Sequence, residues 1–256
     1  MLQVIEFREK DMVNKKMGRV LPLGIAILAF VFTSGFLISK MKVEPSAFGK
    51  SKRFAIVSIM SIDKISANQG QAGLFGSIKA MSKKYSFSAE SDPVLKKAVP
   101  IIYKKMARSG HFTLVSPNRV LKSNAYRSAK GVKPKSFLGA TMITAPGYKY
   151  FKSEKELAGL AKGLNVDAVV MVHAVYGVAT AYVGPVGKNY GSVTLAISAV
   201  DRNGKVVWQH SVAEKDDKGR KIFGIGSADF KALEPGFYAA TERAFDTEFE
   251  KLSKKL

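Results

Sequence analysis

Residues 184–188, Gly-Pro-Val-Gly-Lys, come closest to a known chemical motif, the phosphate-binding loop. The full pattern needs a glycine five residues before Gly187, where Tyr182 stands. It also needs a serine or threonine after Lys188, where Asn189 stands. A phosphate loop joins a strand to a helix, whereas these residues lie between two predicted strands. We therefore interpret them as a hairpin loop and predict no nucleotide cofactor.

The chain has three histidines and no cysteine, which limits its catalytic and metal chemistry. Without cysteine there are no disulfides, thiolate metal sites, thiol nucleophiles or lipidated cysteines. No two of His111, His173 and His210 stand at metal-binding spacing, and no Gly-x-Ser-x-Gly turn presents a serine nucleophile. His173 lies in an apolar run and His210 shares a strand face with Trp208, so both are interpreted as structural. The sequence predicts a protein without catalytic residues; an α/β enzyme with a pocket beside residues 177–191 is the alternative.

The charge of the chain is strongly basic, and it is unevenly placed. Lys and Arg number 41 against 20 Asp and Glu, a formal net charge of +21, which attracts anionic partners. No acidic residue occurs from Pro93 to Ser153, a window in which Tyr126, Tyr148, Tyr150 and Phe151 are interleaved with cations. We predict a basic face that binds anionic lipid or an acidic cell-wall polymer; the alternative is a solvated surface. Its candidate residues are Arg119, Lys122, Arg127, Lys130, Lys133, Lys135, Lys149 and Lys152.

An uncharged apolar segment near the N-terminus, residues 21–38, follows Lys15, Lys16 and Arg19. A cleaved signal peptide has this layout, with small residues such as 33–35 at the cut. A retained membrane anchor is equally compatible, because the run has the minimum length to span a bilayer. A buried core helix is the third interpretation. Either of the first two places the protein in the periplasm or cell envelope, where nucleic acid is not an expected partner.

The stretch 153–176 predicts a helix, a tight turn and a buried strand. Ser153 and Glu156 form a capping box pattern, and an apolar stripe follows at helical spacing. Asn165 stands where the helix needs a left-handed residue to stop. Residues 166–172 are almost continuously apolar, as in a strand covered on both faces, so Val170 is expected to be buried.

Before this stretch, the pattern predicts a basic linker, a strand, helices and a short strand. The linker is placed at 39–52, the buried strand at 54–62 and a short helix at 74–83. A helix is expected from 91 to 108, a strand at 112–115, and a short helix opening at Pro117. Residues 124–150 show no period and are predicted to form a long connection.

After this stretch, the pattern predicts loops, a hairpin and a closing helix. Residues 177–191 and 213–226 are glycine-bearing and are expected to be loops. Asn203-Gly204 predicts a two-residue hairpin turn that pairs Ala199 with Trp208, Ile197 with His210 and Leu195 with Val212. A final helix opening at Pro235 carries an apolar stripe. The stripe consists of Phe237, Thr241, Phe245, Phe249, Leu252 and Leu256.

The element order and four short motifs resemble a group of bacterial envelope domains. The group includes the curli-secretion protein CsgG, the penicillin-binding-protein activator LpoB and the N-terminal domain of TolB. The resemblance implies an exported, non-enzymatic domain that binds other envelope proteins or assembles into a homo-oligomeric ring. Phe36 stands where a lipoprotein of this group would carry its modified cysteine. The motifs are residues 53–57 (RFAIV), 111–115 (HFTLV), 160–170 (LAKGLNVDAVV) and 201–205 (DRNGK).

Together these patterns predict an α/β (α+β) fold, a mixed sheet flanked by helices, with an N-terminal signal or anchor helix. The division is 1–38 for the signal or anchor, 39–52 for the basic linker and 53–256 for a single domain. The predicted function is that of a non-catalytic accessory protein of the envelope. Nucleic-acid binding becomes an alternative if the chain is not exported.

Overall fold

The computed structural model describes residues 40–67, 88–133, 141–183, 186–223 and 230–256. The predicted signal or anchor segment, the helix predicted at 74–83 and the candidate residue Lys135 lie outside these ranges. Among the described residues, no helix has the length and apolar character required to cross a membrane.

Ten strands and five α-helices form within the described ranges. The strands are β1 Lys42–Val43, β2 Arg53–Ile62, β3 Lys64–Ala67, β4 Ser88–Glu90, β5 Thr113–Leu114, β6 Met142–Thr144, β7 Ala168–Val183, β8 Val186–Asp201, β9 Val206–Lys215 and β10 Arg220–Phe223. The helices are α1 Asp92–Ala107, α2 Pro117–Leu121, α3 Asn124–Ser128, α4 Glu154–Gly163 and α5 Phe230–Ser253.

The strands form one mixed sheet with the order β1-β9-β8-β7-β2-β5. β2 runs parallel to both β5 and β7, whereas β7, β8 and β9 form an antiparallel meander. The prediction of a mixed sheet flanked by helices is therefore confirmed. Val170, at the centre of β7, is 0 % exposed, as predicted.

Alternation along β2 divides the core into two layers, because successive side chains of a strand point to opposite faces. Phe54 and Ile56 pack in the cluster that contains the buried side chains of α1 and α5. Ala55 and Val57 pack in the cluster formed with α2, α3 and α4. The sheet therefore lies between two helical layers, with α1 and α5 on one side and α2–α4 on the other.

The predicted helix–turn–strand unit forms as expected. Ser153 accepts from the backbone of Glu156, whose side chain accepts from the backbone of Ser153, which completes the capping box. Asn165 adopts a φ of 52° just after α4 ends, and it is the single non-glycine residue with positive φ among the described residues. The local signals thus set both ends of α4 and the start of β7.

The predicted loop at 177–191 is wrong. β7 and β8 continue through it and pair from Gly177↔Ser192 to Val183↔Val186. Gly191, one of the glycines that suggested a loop, has a packing role, since a Cβ on it would lie 2.5 Å from the carbonyl carbon of Gly236 in α5. The predicted loop at 213–226 is also partly strand, because β9 extends to Lys215 and β10 begins at Arg220.

The hairpin between β8 and β9 has the predicted register but a different turn. Ala199 pairs with Trp208, Ile197 with His210 and Leu195 with Val212, as expected. The loop, however, has three residues between Asp201 and Lys205. These two flanking residues close it, because the backbone N–H of Asp201 donates to the carbonyl oxygen of Lys205. Gly204 alone adopts positive φ in this loop. A bulge between Ala199 and Val200 restores the predicted pairing.

Three further segments differ from the sequence prediction. The closing helix begins at Phe230 rather than Pro235, because Leu233 adds a buried turn upstream of Phe237. Its last stripe residue, Leu256, is 46 % exposed. The connection predicted at 124–150 contains α3 and β6, since Tyr126 is buried and anchors a helical turn. Within the linker predicted at 39–52, β1 pairs with β9 and Phe48 packs against Trp208.

Candidate anionic-surface interface

Six of the eight candidate cations are exposed on the α2–α4 side of the sheet or on the segments joined to it. They are Arg119, Lys122, Arg127, Lys130, Lys133 and Lys152. Lys149 is half-buried, and Lys135 lies outside the described residues. A bridge between Val132 and Tyr150 places the segment carrying Lys130 and Lys133 beside the segment carrying Lys149 and Lys152. We refer to the six exposed cations as the basic face.

Tyr126 fixes α3 to the sheet. Its hydroxyl donates to the carbonyl oxygen of Val57 in β2 at 2.9 Å and accepts from the backbone N–H of Lys149 at 2.8 Å. Ser123 caps the helix by accepting from the backbone N–H of Tyr126 at 3.1 Å. Burial raises the pKa of Tyr126 above its usual range, so the phenol stays protonated and can donate.

Four aromatic side chains of the acid-free window belong to the core rather than to the interface. Tyr126, Tyr148, Tyr150 and Phe151 are each no more than 9 % exposed. Tyr126 and Phe151 meet edge to face with ring centroids 6.0 Å apart. None of these four rings is therefore available beside the basic face to insert into a bilayer.

Lys149 has a structural role that the sequence did not indicate. Its Nζ donates to the carbonyl oxygens of Tyr126, Arg127 and Ala129 at 2.9, 3.0 and 2.8 Å. The ammonium group also lies 5.3 Å from the centre of the Tyr126 ring. The last carbonyls of a helix lack intrahelical partners, and a cationic side chain can satisfy them. Lys149 thus caps the C-terminus of α3.

The two helical layers differ in how their cations are compensated. Lys97 and Lys105 of α1 form ion pairs with Glu234 and Asp246 of α5 at 2.6 and 2.7 Å. The two helices carry seven Lys and Arg against six Asp and Glu, so that layer is close to neutral. Residues 117–133 carry five cations and no acidic residue. Within the described part of the chain, no member of the basic face forms an ion pair.

The acidic residues nearest in sequence to the basic face open α4. Glu156 is engaged in the capping box, where its carboxylate accepts from the backbone N–H groups of Lys152 and Ser153 at 3.3 and 3.4 Å. Glu154 is exposed and is followed by the exposed Lys155. Within the described residues, neither carboxylate forms an ion pair with a cation of residues 117–133.

Three clefts among the described residues each contain at most one member of the basic face. A cleft of about 340 Å³ between α3 and α4 contains Lys130 as its one cation, with Phe151, Glu156 and Leu160 among its other lining residues. A second cleft, of about 270 Å³, lies between Glu44 and the Asp201–Lys205 turn and contains no member of the basic face. Cations spread over a surface fit an extended anionic partner better than a single small anion.

The best candidate for an acid–base pair is His111 with Ser253, whose Nε2 and Oγ atoms are 3.1 Å apart. The Ser253 hydroxyl donates its one proton to the carbonyl oxygen of Phe249 at 2.8 Å. His111 Nε2 must then donate in this contact, so it does not act as a base toward Ser253. Burial lowers the pKa of His111, which keeps the ring neutral. The pair serves to cap the end of α5.

A buried polar cluster joins α5 to β9. Glu248 is 1 % exposed and accepts from Trp208 Nε1 at 3.0 Å, and its other oxygen contacts His210 Nδ1. His210 is thus a satisfied core histidine, as predicted. Sequence reasoning missed Glu248, although it lies seven residues after Thr241 on the apolar stripe of α5. Burial lowers the pKa of His173 to about 4, so this histidine is neutral.

The chain matches no known protein family and no curated protein. Among solved structures, it is similar to the LpoB C-terminal domain from Salmonella enterica, with 13% identity and a TM-score of 0.32 over 64% of this chain and 82% of that chain. It is also similar to a hypothetical protein from Chlamydia trachomatis, with 12% identity and a TM-score of 0.34 over 80% and 95%. PelC from Paraburkholderia phytofirmans, solved as a dodecamer, aligns with 10% identity and a TM-score of 0.22 over 81% and 99%. LpoB belongs to the group that the sequence resembles, but TM-scores this low carry no argument about function.

Proposed function

We propose that this protein is a non-catalytic accessory protein of the bacterial envelope that docks on an anionic surface through its basic face. The observation that carries the proposal is the run of five exposed cations from Arg119 to Lys133, with no acidic residue among them and, within the described residues, no ion pair to any of them. The near-neutral α1–α5 layer on the other side of the sheet gives the molecule a defined orientation toward such a surface.

The strength of this attraction follows from the number of cations that reach the surface. Each Lys or Arg close to an anionic membrane contributes about 1 kcal/mol, and the effect decays over about 8–10 Å at physiological salt. Several members of the basic face acting together therefore provide useful affinity without a specific pocket. Because the neighbouring aromatic rings are buried, the contact is electrostatic, and salt is expected to reverse it.

Two partners fit this chemistry in an exported protein, namely anionic lipid headgroups and an acidic cell-wall polymer. The opposite, neutral layer remains for contacts with other envelope proteins or with further copies of the chain. Nucleic acid offers the same charge and becomes the relevant partner if the chain stays in the cytosol. Mass spectrometry of the protein from its host decides location, since a new N-terminus near Phe36 means cleavage and an intact N-terminus in membranes means an anchor.

The binding test compares full-length chains on vesicles of anionic and zwitterionic lipid, and on an acidic wall polymer, across a salt series. The apolar N-terminal segment contributes equally to both vesicle types, so their difference isolates the charge effect. The double variant Lys130→Glu/Lys133→Glu is expected to lose most of this difference. The matched control Lys96→Glu/Lys104→Glu makes the same charge change at exposed positions of α1 and should retain most of it.

Two results would contradict the proposal. One is the absence of charge-dependent binding by the unmodified chain at low salt. The other is an equal loss for the two double variants, which would mean that net charge matters and that the basic face does not. Soluble, uncleaved protein in the cytosol would leave the electrostatics intact but overturn the envelope assignment.

A further inference from the structure

Lys149 lies beneath the segment that carries half of the basic face. Its Nζ binds the carbonyl oxygens of Tyr126, Arg127 and Ala129 at 2.9, 3.0 and 2.8 Å. Three hydrogen bonds use the full donor capacity of an ammonium group. The charge of Lys149 is therefore directed into α3 and away from a docking surface.

The backbone around Lys149 is fixed from two further directions. Its N–H donates to the Tyr126 hydroxyl at 2.8 Å, and that hydroxyl donates to Val57 in the central strand β2. The backbone N–H of Val132 donates to the carbonyl oxygen of Tyr150 at 2.8 Å. Residues 127–133 thus pass over Lys149. They are bonded to its Nζ through the carbonyl oxygens of Arg127 and Ala129, and to the neighbouring Tyr150 through the backbone N–H of Val132.

The contact between the two segments is tight as well as bonded. A Cβ atom on Gly131 would lie 2.8 Å from Lys149 Cβ, closer than side-chain carbons approach in proteins. Only a glycine allows residues 130–133 to cross the stem of Lys149 at this distance. The crossing holds Lys130 and Lys133 on the exposed side of the segment.

We propose that Lys149 is a positioning residue of the basic face. It places Arg127, Lys130 and Lys133 by capping α3 and supporting the segment above it, rather than by contacting the anionic partner itself. This inference rests on the proposed function. It explains why Lys149 is half-buried while the six members of the basic face are exposed.

The first test compares Lys149→Met with Lys152→Met in the full chain, because each removes one positive charge from neighbouring positions. The slope of log affinity against log salt reports the number of cations engaged. Lys152→Met should weaken binding to anionic vesicles about fivefold, the equivalent of about 1 kcal/mol for one cation. Lys149→Met should weaken it more and should lower the salt slope by the equivalent of at least two cations.

The second test uses Gly131→Ala, which changes no charge. The added methyl group must displace residues 130–133 or Lys149, so the salt slope and the affinity should both fall although the net charge is unchanged. This variant also decides the matter if Lys149→Met fails to fold. Circular dichroism confirms that each variant compared is folded.

The outcomes separate this inference from the proposed function. Binding by the unmodified chain, with equal losses for Lys149→Met and Lys152→Met or no effect of Gly131→Ala, would overturn the positioning role alone. An unmodified chain that does not bind anionic vesicles or wall polymer would overturn both.

Discussion

The buried contact between Glu248 and its partners on β9 predicts a large and specific loss of stability. Replacing Glu248 by leucine removes the acceptor of the Trp208 indole N–H at 3.0 Å and the contact with His210. Both partners remain buried, since Trp208 is 0 % and His210 is 4 % exposed. Their polar atoms would then lie in the core without the hydrogen-bonding partner that Glu248 provides.

The magnitude follows from the cost of uncompensated polar groups. Removing Glu248 leaves two buried partner groups, Trp208 Nε1 and His210 Nδ1, without their hydrogen-bonding partner, and each unpaired buried polar group costs about 1–3 kcal/mol. Glu248→Leu should therefore lower the free energy of unfolding by about 3–5 kcal/mol. For a domain of this size that corresponds to a fall in melting temperature on the order of 10 °C.

The double variant His210→Leu/Glu248→Leu distinguishes a paired contact from simple loss of packing. Replacing both partners by apolar groups is often close to neutral, which leaves mainly the unpaired Trp208 N–H. The coupling energy between the two substitutions should be at least about 2 kcal/mol. The matched control Glu250→Leu changes an exposed carboxylate of the same helix, in an ion pair with Lys254, and should leave the stability nearly unchanged, because exposed ion pairs contribute little.

The measurement is urea unfolding followed by fluorescence of Trp208, the one tryptophan in the chain, and in parallel by circular dichroism. Circular dichroism is needed because the substitution changes the environment of the reporter itself. The reasoning would be refuted if Glu248→Leu cost no more than Glu250→Leu. Strictly additive effects of the His210 and Glu248 substitutions would refute the pairing.

Three further predictions concern backbone fit and pH. Gly191→Ala should destabilise the domain by about 1–3 kcal/mol, since its Cβ would lie 2.5 Å from a carbonyl carbon of α5. The control Gly159→Ala, whose Cβ would meet open space, should be neutral or stabilising. Thermal melts of the two variants measure the difference. Asn165→Ala should cost about 1–2 kcal/mol at its φ of 52°, whereas Asn165→Gly should not. Burial lowers the pKa of His173 from 6.5, its value in the unfolded chain, to about 4 in the folded protein. The stability that depends on neutral His173 is therefore fully present above pH 6.5 and is lost as the pH falls toward 4. Urea titrations over that pH range should show the free energy of unfolding fall by about 3 kcal/mol. The variant His173→Gln should not show this pH-dependent fall.

Local signals were sufficient to predict the central part of the fold. Ser153 and Glu156 form their capping box within four residues of sequence, and Asn165 ends α4 by its own backbone preference. The apolar run of β7 is typical of a strand buried on both faces, and Val170 within it is 0 % exposed. In each case the deciding interaction lies within one element or within the alternation of a single strand.

The errors arose where a distant contact decides the conformation. Gly191 suggested a loop. Its packing role could not be foreseen, because Gly236 on α5, which it contacts, is far away in sequence. Asn203-Gly204 suggested a two-residue turn, whereas Asp201 accepts from the backbone N–H groups of Asn203 and Lys205 at 2.8 Å and stabilises a longer one. Lys149 could not be told from its neighbours, because its carbonyl partners belong to a helix that sequence periodicity did not reveal.

The placement of charge shows most clearly how tertiary structure changes the meaning of a sequence pattern. The acid-free window runs from Pro93 to Ser153 and includes α1 as well as α2 and α3. Lys97 and Lys105 of α1 nevertheless meet Glu234 and Asp246, which enter from the far end of the chain. The sheet separates α2 and α3 from α5, so those carboxylates cannot compensate the cations of residues 117–133. Residues 117–133 therefore keep their positive charge because they lie across the sheet from the carboxylates of α5.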